Sequence, residues 1–253
     1  MRRDEKFFCL TRRKFAVISY IFQEFSTKSG EKIAVIDVHL SYSTHSNYWP
    51  LTTIMYIIGL TGGIACGKSA VTFYLKERGA VVYDIDKVTR RLLKPGKKLF
   101  KMYLQHFGEK ILNEDGTLNR KAVGEIIFND ETERLWINSV AHPILLNHTR
   151  DFLVKCSERG VGLVVLELPL LFEVGWEFLV DETWAAYVCL GKQIYRLRKR
   201  DNITREQALA KINSQMPTKE ICRRADYVVR NTRGIKHLLG QIERALHGRF
   251  FTE

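Results

Sequence analysis

Residues 62–69 read Gly62-Gly63-Ile64-Ala65-Cys66-Gly67-Lys68-Ser69, the spacing G-x-x-x-x-G-K-[ST]. Glycines at these positions let a backbone close around a polyphosphate and aim successive N–H groups at it. A helix starting at the end of the loop adds its positive N-terminal end. In such a loop Lys68 reaches the β- and γ-phosphates of ATP and the Ser69 hydroxyl holds Mg²⁺. With glycine at about 7% of residues, a chance match in a chain of this length is roughly a 1% event. The loop therefore sets the first constraint on function, the handling of a nucleoside triphosphate.

Asp84 and Asp86 are the second chemical feature. Phosphoryl transfer to a hydroxyl needs a carboxylate within hydrogen-bond reach of that hydroxyl, and magnesium often takes a second carboxylate through water. The competing reading is that one of them only caps a helix beginning near Lys87. A third feature is the basic cluster Arg196, Arg198, Lys199, Arg200 and Arg205. Beside a phosphate-binding loop, such a cluster reads as a lid over polyphosphate rather than as a solvated face. Cys66, inside the loop, is expected to have a lowered pKa and to oxidise easily.

The elements that must position these residues follow from periodicity. Residues 54–60 are apolar and β-branched and predict a strand ahead of the loop, and 69–78 show helical spacing through Val71, Tyr74 and Leu75. Residues 80–83 predict a second strand ending at the aspartates, and 161–166 a continuous apolar strand covered on both faces. Residues 183–190 and 226–229 predict two more. Between them, 87–158 are mainly helical, 192–224 are basic and helical with a turn near Pro217, and 235–246 suit a terminal helix. Strands alternating with helices give an α/β fold, a doubly wound parallel sheet with an inserted helical subdomain and a helical lid. Ligands bind such a sheet outside the carboxyl ends of its strands, where the loop, Asp84, Asp86 and residues 169–173 should converge.

Composition narrows the remaining classes. The chain has 253 residues, is 45% hydrophobic and carries a formal net charge of +12. Residues 1–54 hold eight Lys/Arg against five Asp/Glu, so most of the excess lies beyond them. No apolar run is long enough to span a membrane. Five cysteines without a C-x-x-C pair suggest reduced thiols in an intracellular compartment and neither a disulfide framework nor zinc; the location expected is cytoplasmic, with mitochondrial association the alternative. Residues 1–54 differ in character from the rest, and no role is assigned to them; Met55 stands at the first strand as an alternative start.

The joint order of these motifs resembles the dephospho-coenzyme A kinase family. Its T-G-G-I-x-x-G-K-S corresponds to residues 61–69, its D-x-D with a following Arg to Asp84, Asp86 and Arg90, and its P-L-L-[FY]-E to residues 169–173. Pro95-Gly96, Phe107-Gly108, Asp115-Gly116 with Arg120, Phe128, His142-Pro143, Arg196, Arg200, Gln215, Ala225-Asp226 and Asn231 complete the pattern over residues 55–247. The resemblance implies a P-loop NTPase fold and transfer of the ATP γ-phosphate to the ribose 3′-hydroxyl of dephospho-coenzyme A, with Mg²⁺. It makes Asp86 the base or orienter, Lys68 and Ser69 the phosphate and magnesium ligands, and Arg200 the lid arginine. Arg196 would assist at the phosphates and Asn231 on the adenine side, while Asp84, Arg90 and His142 would serve the acceptor, a turn at His142-Pro143 being the alternative. No nucleic acid and no obligate protein partner is implied. Ile85 replaces the usual alanine between the aspartates, and Gly234 follows Asn231 one residue later than usual. Two rivals are a kinase with a phosphate acceptor and a basic nucleic-acid-binding module. The paired aspartates weigh against the first, because carboxylates repel an incoming phosphate.

Overall fold

The computed structural model of the chain describes residues 5–8, 17–26, 32–41 and 55–250. In the extension, backbone strands β1 (Glu5–Phe8), β2 (Val17–Ser26) and β3 (Lys32–Ser41) pair antiparallel in that order. The rest alternates strand and helix. β4 (Tyr56–Thr61) leads through the phosphate-binding loop into α1 (Lys68–Glu77), and β5 (Val81–Asp84) runs directly into α2 (Ile85–Leu92). Helices α3 (Lys98–Phe107), α4 (Arg120–Asn129) and α5 (Glu131–Glu158) precede β6 (Leu163–Glu167). β7 (Glu182–Tyr187) is followed by α6 (Leu190–Asp201), α7 (Arg205–Asn213) and α8 (Thr218–Arg224), then by β8 (Tyr227–Arg230) and α9 (Ile235–Phe250).

The five strands from β4 onward are parallel, in the order β5-β6-β4-β7-β8. The chain passes from central β4 to the edge at β5, returns to β6, then crosses to β7 on the other side. The crevice outside the carboxyl end of β4 is thus the switch point where an open α/β sheet takes its ligand.

Side-chain alternation along the strands builds a core on each face. Ile57, Val164, Leu166 and Ala185 join the cluster that packs α2 to α5. Their neighbours Ile58, Leu60, Val165, Trp184 and Ala186 join the cluster under α1 and α9. Successive residues of a strand face opposite ways, so a strand buried on both sides must be apolar throughout, as the run 161–166 suggested.

Local chemistry sets the helix starts. Asp84 caps α2 by accepting from the Lys87 N–H at 3.0 Å, and Asp130 caps α5 by accepting from Thr132 and Glu133. α7 begins with a reciprocal capping box between Thr204 and Gln207. Residues 142–143 do not form the turn considered as an alternative: α5 continues through Pro143 for 28 residues. An interior proline removes one backbone hydrogen bond. The buried stripe Ile137, Ala141, Leu145, Thr149 and Leu153 holds the helix together on both sides of it.

Candidate active site

The loop is shaped by its glycines and by what presses on it. Gly62 has φ 136°, and a Cβ there would lie 2.5 Å from the Ala186 carbonyl oxygen. Gly67 has φ 93° and stands at the start of α1, where a Cβ would lie 2.1 Å from Asn231 Nδ2. Lys68 Nζ donates to the Gly62 carbonyl at 2.7 Å and to Gly63 at 3.4 Å, so the ammonium rests on the loop's own oxygens. Burial lowers its pKa, opposed by Cys66 and by the carboxylates of Glu167 and Asp86.

Those carboxylates stand at, or just past, the ends of neighbouring strands. Asp84 ends β5 and is engaged twice, as the cap of α2 and in an ion pair with Lys87 Nζ at 3.1 Å. The capping reading thus holds for Asp84 and leaves Asp86 for chemistry. Asp86 sits in the first turn of α2, and among the described residues no hydrogen-bond donor is recorded against its carboxylate. Partial desolvation in the cleft and repulsion from Asp84 push its carboxyl above the usual range, with Lys68 and Arg90 opposing. Arg90 therefore acts on Asp86 through its charge, as its placement four residues on along α2 allows.

Sequence reasoning passed over Glu167. It closes β6 beside the loop strand, in register with Asp84 on one side and Leu60 on the other. Burial and then the charges of Asp84 and Asp86 raise its carboxyl, while Lys68 and the Thr72 hydroxyl oppose this. The available signal was a single acid ending an otherwise apolar strand. Ser69, Thr72, Asp84 and Glu167, with Arg90 and Arg91, are among the residues that line an open groove of about 1060 Å³. Exposed Ser69 and these acids offer hard oxygen donors of the kind Mg²⁺ takes. Among the described residues no group of three or more His, Cys, Asp or Glu could hold a metal alone.

On the opposite flank, Arg196 of α6 is half-buried against the loop, with Nη2 at 3.4 Å from the Asn231 carbonyl oxygen. Arg200, further along α6, is exposed and paired with Asp201 at 2.7 Å, and its charge is felt at Lys68. Lys211 completes that pair at 2.9 Å, and together the two cations hold the Asp201 carboxyl down at about 2. Asn231 is buried and donates to the Cys66 carbonyl at 3.4 Å. Its side-chain N–H group is thus turned to the loop backbone. His142 lies against Trp176, ring centres 6.1 Å apart, and burial holds its imidazole below the usual range. Cys66 is fully buried, and burial pushes its thiol up despite the nearby charges of Lys68 and Arg196. The expectation of a lowered pKa there is therefore wrong.

Residues 169–173 run from the end of the loop strand to the returning hairpin. The Pro169 carbonyl accepts from Thr61 at the loop entrance at 3.1 Å, and Glu173 accepts from the Met216 N–H at 3.4 Å. A loop leaving the central parallel strand, flanked by acids on one side and by a returning basic hairpin on the other, is the architecture of the P-loop phosphotransferases.

Comparison with known proteins narrows this class. Residues 56–237 match the family model CoaE, dephospho-CoA kinase. A dephospho-CoA kinase of Carboxydothermus hydrogenoformans is 40% identical over 189 residues, 75% of this chain and 92% of that one. One of Shouchella clausii is 38% identical over 75% of this chain and 96% of its own length. A crystal structure of a Thermus thermophilus protein superposes with a TM-score of 0.70 at 30% identity, covering 78% of this chain and 99% of that one. The chain belongs to the dephospho-CoA kinase family. Among the described residues no helix is long and apolar enough to cross a membrane.

Proposed function

We propose that residues 55–253 transfer the γ-phosphoryl group of ATP to the ribose 3′-hydroxyl of dephospho-coenzyme A, giving coenzyme A and ADP. The observation that carries this reading is the division of labour at the aspartates. Asp84 is committed to its helix, whereas Asp86 is unengaged and lies within the electrostatic reach of the loop lysine. A hydroxyl placed between Asp86 and the γ-phosphate gives up its proton to that carboxylate. The new O–P bond forms as the bond to the β,γ-bridging oxygen breaks.

The other residues position and shield. Lys68 exchanges the Gly62 and Gly63 carbonyls for phosphate oxygens. The N–H groups of the loop and the start of α1 receive the rest of the polyphosphate. Mg²⁺ would be held by the Ser69 hydroxyl and the phosphates, with Glu167 and Asp86 accepting from its waters, and would neutralise charge on the β- and γ-phosphates. Residues 192–224 act as the lid, bringing Arg196 and Arg200 over the transferred group and keeping water out. Residues 87–158 form the acceptor side, where Arg90 faces the anionic acceptor and His142 shapes the wall with Trp176.

The test is ADP release with coenzyme A identified by mass, offering ATP and Mg²⁺ with dephospho-coenzyme A, AMP, UMP or adenosine. Turnover is expected with dephospho-coenzyme A alone. In Asp86→Asn it should fall by at least about 100-fold while affinity for an ATP analogue is kept. Turnover on AMP, or full activity in Asp86→Asn, would overturn the reading.

A further inference from the structure

The α6–α7 hairpin is joined to the phosphate loop at Ile64, through both of that residue's backbone groups. Gln193, buried near the start of α6, donates from Nε2 to the Ile64 carbonyl at 2.8 Å. Gln215, where the chain returns from α7, accepts at Oε1 from the Ile64 N–H at 2.9 Å. The two backbone groups of Ile64 are therefore held by one glutamine at each end of the hairpin. The Ile64 and Ala65 side chains pack against Ile194, Leu197 and Ala208, the apolar core of that hairpin. Ala65 holds a left-handed φ of 61°, a conformation that persists in a non-glycine residue only where surroundings fix it. At Gly63 a Cβ would lie 2.7 Å from Gln193 Nε2 and 2.8 Å from Thr218 Oγ1, so α6 and the start of α8 close on the loop there as well.

We propose that Gln193 and Gln215 are positioning residues that couple the lid to the phosphate loop. Through the Ile64 backbone, movement of the lid is passed into the N–H cradle, and nucleotide in the cradle is felt along the lid. The inference rests on residues 192–224 acting as a lid but not on the identity of the acceptor. A nucleotide-binding experiment can therefore fail it while the kinase reading stands.

Donor and acceptor polarity supplies the test. A glutamate at 215 still accepts from the Ile64 N–H, whereas a glutamate at 193 has no donor for the Ile64 carbonyl and sets an anion against it. The added charge is the same in both. ADP affinity is measured by calorimetry, and trypsin cleavage at the lid lysines and arginines is followed with and without ADP. Gln215→Leu and Gln193→Leu should each weaken ADP binding about tenfold, the scale of one buried polar group left unpaired, and lose ADP-dependent protection of the lid. Gln215→Glu should restore that protection, and Gln193→Glu should not. Equal behaviour of the two glutamate variants, or leucine variants with wild-type affinity and protection, would overturn the proposal. Should the leucine variants fail to fold, the glutamate pair, which keep side-chain size and polarity, decide it by the same comparison.

Discussion

The two flanks of the loop strand are organised on opposite principles. On the β7 and β8 side, polar side chains are spent on backbone: Gln193 and Gln215 on Ile64, and Asn231 on Cys66. That side fixes a shape. On the β5 and β6 side, Asp86 and Glu167 stand around Lys68 beside an open groove, their carboxyl pKa values raised by burial first and by neighbouring acids second. That side stores charge for a reaction. Such a division teaches that nucleotide affinity and chemical turnover should be separable by mutation, since distinct interactions sustain them.

The sharpest way to break the shape-fixing side is Gly67→Ala. Its Cβ would stand 2.1 Å from Asn231 Nδ2 at a φ of 93°. Asn231 is buried, so moving it aside disturbs its packing. Strain of about 1–3 kcal/mol for the backbone alone, with the clash added, should cut kcat/KM for ATP by at least about 100-fold. The double variant with Asn231→Ala should regain part of the loss, the clash, and leave the part due to φ. Steady-state kinetics of both variants check this; full recovery in the double variant would mean that backbone strain contributes nothing.

The charge-storing side is probed more gently, by pH. Asp86 must be ionised to take a proton, and its carboxyl lies above the usual range, so kcat should fall as pH drops through that raised value. Asp84→Asn keeps an oxygen to cap α2 but removes a repelling charge, which should move the acidic limb to lower pH. Linkage gives a stability counterpart. A carboxyl whose folded pKa is raised is destabilising when ionised, so Asp86→Asn should raise Tm at pH 7, with the difference shrinking as pH falls through the folded value. Profiles of kcat and Tm against pH read both; an acidic limb that does not move in Asp84→Asn would remove repulsion as its cause.

These flanks also differ in how much of them could be read from residue order. The loop, the aspartate pair and the strand alternation are local patterns, and they appear within two residues of where periodicity placed them, except that the strand expected over 183–190 ends at Tyr187 and Leu190 already starts α6. Glu167 carried only a faint signal, one acid after an apolar run, because its meaning depends on β5 and β4 lying on either side of β6. Gln193 and Gln215 meet Ile64 across 129 and 151 residues, and no spacing rule connects them. At Pro143 the local rule pointed towards a break, and packing along 28 residues of helix outweighed the lost hydrogen bond. Asn231 was recognisable as a motif position, but which way its amide turns is set by the close approach of β8 to the loop.

The smallest effect should come from Cys66, and its smallness is informative. A thiol reacts as thiolate, and a phosphate-binding loop offers Lys68 and Arg196 to stabilise one. Burial outweighs them, and the thiol is packed in the same cluster as Leu60, Val71 and Ala186. Nucleotide phosphates would raise it further by adding negative charge nearby. Cys66 is then a filler beneath the loop, part of the shape-fixing side. Among the described cysteines Cys189 is exposed, so alkylation followed by mass spectrometry should modify Cys189 well before Cys66. Cys66→Ser should leave the rate of peroxide inactivation within about twofold of wild type. Protection of activity by Cys66→Ser would place a reactive thiol at the loop and make that flank chemical as well as structural.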